Sequence, residues 1–328
     1  MKDRWLFQYG VPIALVLYGL CAFGFGQLRE VPAIALLLSA ATYVTIVFLF
    51  AGIPSLVFFG QTNLLIAGMV LGVGVSAILL QGSMPVVMWT LTWLMLIGST
   101  VTTGMLARKG QPFAVVYPVG LVIVMVLSLA QYLPLYEVTT EIARNGIDGI
   151  VGNARMQMTV AGYTPDQVDE IAGAFAAVLN AMIRLMPVGF VLGAGVQYSL
   201  GYLWFSHRAL APSGSPSVVP PFATWKAPFG LAIIVLVGSA MRLLGGESMK
   251  IVADNLLIGV GVIYLIMGMA LIESFMRRTH FGWVGRLFVY VALFLAQIIG
   301  LLVVALLGFI DSYVDWRARP QRSIDETV

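Results

Sequence analysis

The chain has 328 residues, 60% of them hydrophobic, and 18 Lys and Arg against 15 Asp and Glu leave a net charge of +3. A soluble globule of this length cannot hide so much apolar surface, whereas helices in lipid can. The composition excludes a disordered chain and a nucleic-acid module, and one cysteine, Cys21, excludes a disulfide scaffold.

The distribution of charge predicts an all-α, polytopic membrane protein with 8–9 transmembrane helices, since each crossing needs about 20 mostly apolar residues. Nine apolar elements are expected, at 9–27, 31–51, 62–81, 85–107, 112–135, 178–207, 227–245, 253–276 and 286–311. Turn chemistry sets the cuts in the long uncharged stretch 31–107, at Gly52-Ile53-Pro54, Gly60-Gln61-Thr62-Asn63 and Gln81-Gly82-Ser83-Met84-Pro85. The piece 52–60 is too short to cross alone; it either prolongs the second helix or is re-entrant. Trp5, Trp204, Trp225, Trp283 and Trp316 fall at or just beyond span ends, where amphipathic rings prefer to sit. The first apolar run follows Lys2 and Arg4 as a signal peptide would, but no small-x-small cleavage site closes it, so it is expected to be retained.

With the N-terminus in the cytoplasm, Lys2, Arg4, Arg108, Lys109, Arg208, Lys226, Arg277, Arg278 and Arg286 fall inside, against Arg29, Arg144, Arg155 and Lys250 outside. This points to a bacterial cytoplasmic (inner) membrane protein with a cytoplasmic N-terminus. The polar tail, 312–328, disagrees: nine spans put Arg317, Arg319 and Arg322 outside, and an even count with one re-entrant element puts them inside. The whole chain, 1–328, reads as one integral membrane domain. Within it, 137–177 is the one sizeable polar segment and reads as an extramembrane helical hairpin. Thr164-Pro165-Asp166-Gln167 is a good helix start, with a capping Thr, a Pro at the first position and a Gln that can close the box. That helix is expected to run on into the sixth span. The one before it carries Gly146, Gly149 and Gly152 and is expected to be weaker.

No P-loop, His-Glu-x-x-His, cysteine pair or Gly-x-Ser-x-Gly elbow is present, so no enzymatic role, cofactor or metal is expected. His207 and His280 stand in loops near arginines and read as interfacial residues. Gly68-x-x-x-Gly72 and Gly189-x-x-x-Gly193 read as close helix-packing faces. Ionisable groups near hydrocarbon are the candidates for ligand or partner contact. Arg184, with Asn180 one turn before it, can meet an anionic solute, or can snorkel outward or pair with an acid such as Glu170. Arg242 can pair with Glu247 or Asp254. Glu273 lies four residues before Arg277, the favourable order for a helical ion pair. Asp311 and Asp315, one turn apart, can hold a cation, dock a basic partner, or pair with Arg319 and Arg317. Gln131, Gln197 and Gln297 read as buried amides that bond between helices.

Several C-terminal motifs carry a resemblance: Pro220-Pro221-Phe222-x-x-Trp225-x-x-Pro228, Asn255-Leu256-Leu257, Gly268-x-x-x-Ile272-Glu273-Ser274-Phe275, and the closing Gly308-Phe309-Ile310-Asp311-Ser312-Tyr313-Val314-Asp315-Trp316-Arg317. Together with Ala161-Gly162-Tyr163-Thr164-Pro165-Asp166-Gln167 and Leu185-Met186-Pro187, they resemble the YybS-like family of predicted bacterial membrane proteins, a domain of unknown function. The resemblance implies a distant relation to the substrate-binding subunits of energy-coupling-factor transporters, which bind a small solute and depend on another membrane subunit and a separate ATPase module. Those subunits dock through small residues four apart on their first helix, and here only Ala35-x-x-x-Ser39 matches. Two functions follow as expectations: a solute-binding or transport subunit with a polar pocket near Arg184, or a non-transporting scaffold of a larger envelope complex with a filled core.

Overall fold

A computed structural model describes residues 10–18, 32–61, 63, 65–70, 73, 86–133, 136–228, 230–279, 281–314 and 316–318. Among these residues there is no strand. Six helices are long and apolar enough to cross a membrane, over Leu37–Phe58, Thr90–Arg108, Phe113–Tyr132, Met186–Ser213, Glu247–Arg278 and Gln297–Val314. The expected 8–9 crossings are therefore not reached among the described residues. The elements at 9–27 and 62–81 lie largely outside them, with 10–18 and 65–70 helical. The contacts divide the chain into two compact units, Met1–Val219 and Pro220–Val328.

In the first unit α1 (Pro32–Phe58) packs on α2 (Val86–Arg108) and on α6 (Met186–Phe205), and α3 (Phe113–Tyr132) packs on α2 and α6. The four helices enclose a core that includes Phe50, Ile53, Leu56, Leu96, Val116, Val124, Tyr198, Tyr202 and Phe205, with Val11 and Leu15 of the 10–18 stretch packed into it. Of the two alternatives for 52–60, the structure shows the prolonged helix: α1 runs through Pro54 to Phe58, with no cut at Gly52-Ile53-Pro54. In lipid a proline is tolerated inside a helix when neighbours take up the slack. Here the Ser55 hydroxyl donates to the Ala51 carbonyl (2.7 Å), and Gly104 of α2 packs against this turn, where a Cβ would lie 2.8 Å from the Pro54 oxygen. The helix stops where Gly60 turns left-handed, with φ +75°.

The polar segment folds as expected into two helices, α4 (Tyr136–Val160) and α5 (Pro165–Arg184). Gly162, at φ +86°, makes the turn, and Thr164 and Gln167 close a capping box. Arg155 and Asp169 pair across the hairpin at 2.9 Å. Contrary to expectation, α5 does not continue into the sixth span. It ends at Leu185, and α6 begins afresh with Pro187 at its start. Proline has no N–H to donate and its ring crowds the carbonyl four residues back, so a single helix through 187 is disfavoured.

In the second unit α7 (Leu231–Leu244) packs on α8 (Glu247–Arg278), which packs on α10 (Gln297–Val314). The element expected at 227–245 is shorter, 14 residues, because the segment around Pro228 stays irregular. The one at 253–276 is longer, since Gly246 at its N-cap starts the helix at Glu247. The last span, expected as one helix over 286–311, is two: α9 (Trp283–Leu295) and α10, separated where Gln297 adopts φ 50°. A Cβ on Gly300 would lie 2.7 Å from the Ala296 Cβ and 2.9 Å from the Leu293 oxygen, so glycine is what lets the chain turn this tightly.

α8 and α10 cross at Gly268 and Gly308, where a Cβ on either would overlap the backbone of the other helix. Past the crossing, at the end of α8, Arg278 donates to the Arg317 carbonyl, just beyond α10. The two helices therefore run in the same direction. α9 leaves from the end of α8 at which α10 later arrives.

Candidate functional site

The expected packing faces fare differently. Among the described residues, nothing lies within 4 Å of a Cβ placed on Gly189 or Gly193, so neither is a packing point there. Gly68 is a close approach as expected, since a Cβ there would lie 3.2 Å from the Pro12 Cα, while Gly72 lies outside the described residues. Tighter approaches lie elsewhere. A Cβ on Gly120 would overlap the Tyr198 hydroxyl, and one on Gly201 would overlap the Phe50 side chain. The rings of Tyr117, Tyr198 and Tyr202 cluster with centroids 5.3–6.1 Å apart, Tyr117 stacked on Tyr198 and edge-on to Tyr202. Each hydroxyl is used: Tyr198 with Thr103 (2.9 Å), Tyr117 with Ser199 (2.8 Å), and Tyr202 donating to the Ser217 carbonyl (2.7 Å). Buried hydroxyls of this kind are stable only when paired. Gln131 bonds between helices, to Thr92, as expected. Gln197 is half-buried, and Gln297 is exposed at the turn before α10 instead of buried.

Arg184 lies exposed on the last turn of α5. Asn180 is exposed as well and donates to its own helix, at the Ala176 oxygen (2.9 Å). Arg242 pairs with Asp254 at 2.7 Å between α7 and α8, and Lys250 pairs with Glu247 at 3.0 Å. Asp315 lies outside the described residues. Among them, no three His, Cys, Asp or Glu gather as a metal-binding set.

The densest charge chemistry is at the C-terminal end of α8. The Glu273 side chain is 9% exposed, and its Oε1 accepts from Arg277 Nε (2.7 Å) and Arg286 Nη1 (3.1 Å). Its Oε2 accepts from the Tyr290 hydroxyl (3.1 Å). The helical pair with Arg277 was legible in the sequence. Arg286 and Tyr290 were not, since they arrive from α9; their spacing of four residues, which aligns them on one helix face, was the available signal.

Next to it, Asp311 pairs with Arg317 at 3.0 Å, with the side chains 2% and 7% exposed. Of the alternatives open for Asp311, this is the ion pair with Arg317. Arg317 also donates to the carbonyls of Ala223 (2.7 Å) and Met267 (3.3 Å), tying the 3-10 turn Phe222–Thr224 and α8 to the end of α10. Among the described residues, Asp311 Oδ1 and Arg317 Nε are buried with no hydrogen-bond partner. A buried pair of this kind holds a conformation in place more than it adds net stability.

No curated protein and no solved structure matches the chain. The comparisons give no similarity to energy-coupling-factor transporter subunits. Residues 32–312 match the model of a family described as "Predicted membrane protein (DUF2232)". That match spans most of the chain and agrees with its apolar helices, so the protein belongs to this family of membrane proteins of unknown function.

Proposed function

We propose that the protein is a non-transporting subunit or scaffold of a larger envelope complex in the bacterial cytoplasmic membrane, and not an enzyme. The observation that carries this reading is the close packing of the described residues inside the α1–α2–α3–α6 bundle. There the tyrosine cluster and the contacts at Gly104, Gly120 and Gly201 use space that a solute would need. Solute sites in helical bundles are cavities lined by inward-facing polar groups, and the polar residues singled out in the first unit, Arg184 and Asn180, lie on its surface. The exposed hairpin α4–α5 offers a polar face for a partner outside the lipid.

Native mass spectrometry of the gently solubilised protein tests this. A partner protein in fixed stoichiometry, with no bound small molecule, is the expected result. A co-purifying solute that is lost in Arg184→Leu would overturn it in favour of a solute-binding subunit like those of energy-coupling-factor transporters.

A further inference from the structure

We propose that Arg277 and Arg286 together bind the phosphate of an anionic phospholipid headgroup at the end of α8. The two guanidinium groups share one acceptor, Glu273 Oε1, so the bonded nitrogens are no more than 5.8 Å apart (2.7 and 3.1 Å end to end). Glu273, further held by Tyr290, fixes both forks in place. The acid does not neutralise the site. Glu273 is the one acidic residue between 255 and 310, against Arg277, Arg278 and Arg286.

Donors remain as well. Arg277 spends its Nε on Glu273, and Arg286 spends Nη1 on Glu273 and Nε on the Phe281 carbonyl, which leaves terminal N–H groups on each. Guanidinium forks suit phosphate oxygens in geometry and charge.

What makes the phosphate a lipid's is the helix that carries Arg286. Trp283, Val284, Leu287, Phe288, Val291 and Leu295 of α9 are all exposed, with Trp283 at 77%. At 100° per residue they fall on one arc, which excludes Arg286 and Tyr290. A tryptophan-led apolar face beside paired arginines is the arrangement that seats acyl chains below an anionic headgroup. This holds whether or not the scaffold reading does.

The test uses the full chain in neutral detergent, with native mass spectrometry and dioleoylphosphatidylglycerol, dioleoylphosphatidylcholine or inorganic phosphate as the added probe. A basic side chain near an anionic surface is worth about fivefold in affinity, so losing two should weaken phosphatidylglycerol binding roughly twenty-five-fold. The variant is Glu273→Gln/Arg277→Gln/Arg286→Gln, which removes the acid with its partners and leaves no buried charge unpaired. Arg242→Gln, elsewhere in the same unit, is the control and should bind as wild type. Preference for phosphatidylglycerol over phosphatidylcholine that the triple variant loses supports the proposal. Equal binding of the two lipids, an unaffected triple variant that elutes as a folded monodisperse species, or displacement of the lipid by millimolar inorganic phosphate would each overturn it.

Discussion

The bundle of α1, α2, α3 and α6 and the pair of α8 and α10 address the same problem differently. Both must hold helices together where apolar side chains gain little from leaving lipid. The bundle uses neutral means: three tyrosines whose hydroxyls are all paired, and buried Ser99, Thr100 and Thr103 that return their hydroxyls to their own helix. The α8–α10 pair uses bare backbone contact at two glycines and then a buried charge pair. The first arrangement tolerates the loss of a member. The second does not, because each half of an ion pair is harmful without the other.

Substitutions can break or sharpen that contrast. The largest effect is expected from Asp311→Leu, which leaves the Arg317 guanidinium buried and uncompensated, at a cost of about 3–5 kcal/mol. Asp311→Leu/Arg317→Leu should recover most of it, and denaturant unfolding in detergent would show whether it does. Gly268→Ala comes next, at about 3 kcal/mol, since the obstacle to its new methyl is the Val304 backbone, which cannot swing aside. Gly120→Ala meets a side chain, the Tyr198 hydroxyl, and should cost less than Gly268→Ala; a larger loss at Gly120 would reverse the comparison. Tyr198→Phe removes one neutral hydrogen bond and should cost about 1 kcal/mol. The smallest effect belongs to Arg155→Ala, which breaks a half-exposed pair on the hairpin and should lower the unfolding free energy by less than about 1 kcal/mol.

How much of this was legible in the sequence follows the range of the interactions. Signals within one turn were readable: the capping box at Thr164, the Glu273–Arg277 pair, and the ends of α2 and α3. The apolar runs gave the membrane class because lipid imposes it on composition directly. What failed were breaks hidden inside apolar runs. A helix continues through Pro54, while Pro187 stands where one helix gives way to the next; Gly104 packs on the first proline and Ser55 bonds beside it. The turn at Gln297 carries no charge and no proline, so nothing local announced it. The candidate site was partly visible, as an acid and an arginine on α8. Its other half came from α9 once the chain had turned.

The turn at Gln297 also fixes a parity. A hydrophobic segment that doubles back adds an even number of crossings, or none. Arg317 therefore emerges in the compartment that holds Arg277, Arg278 and the start of α9, and the charge imbalance that a single long final helix would create disappears. A reporter joined after Ala318 and one inserted at Gly282 should report the same side of the membrane.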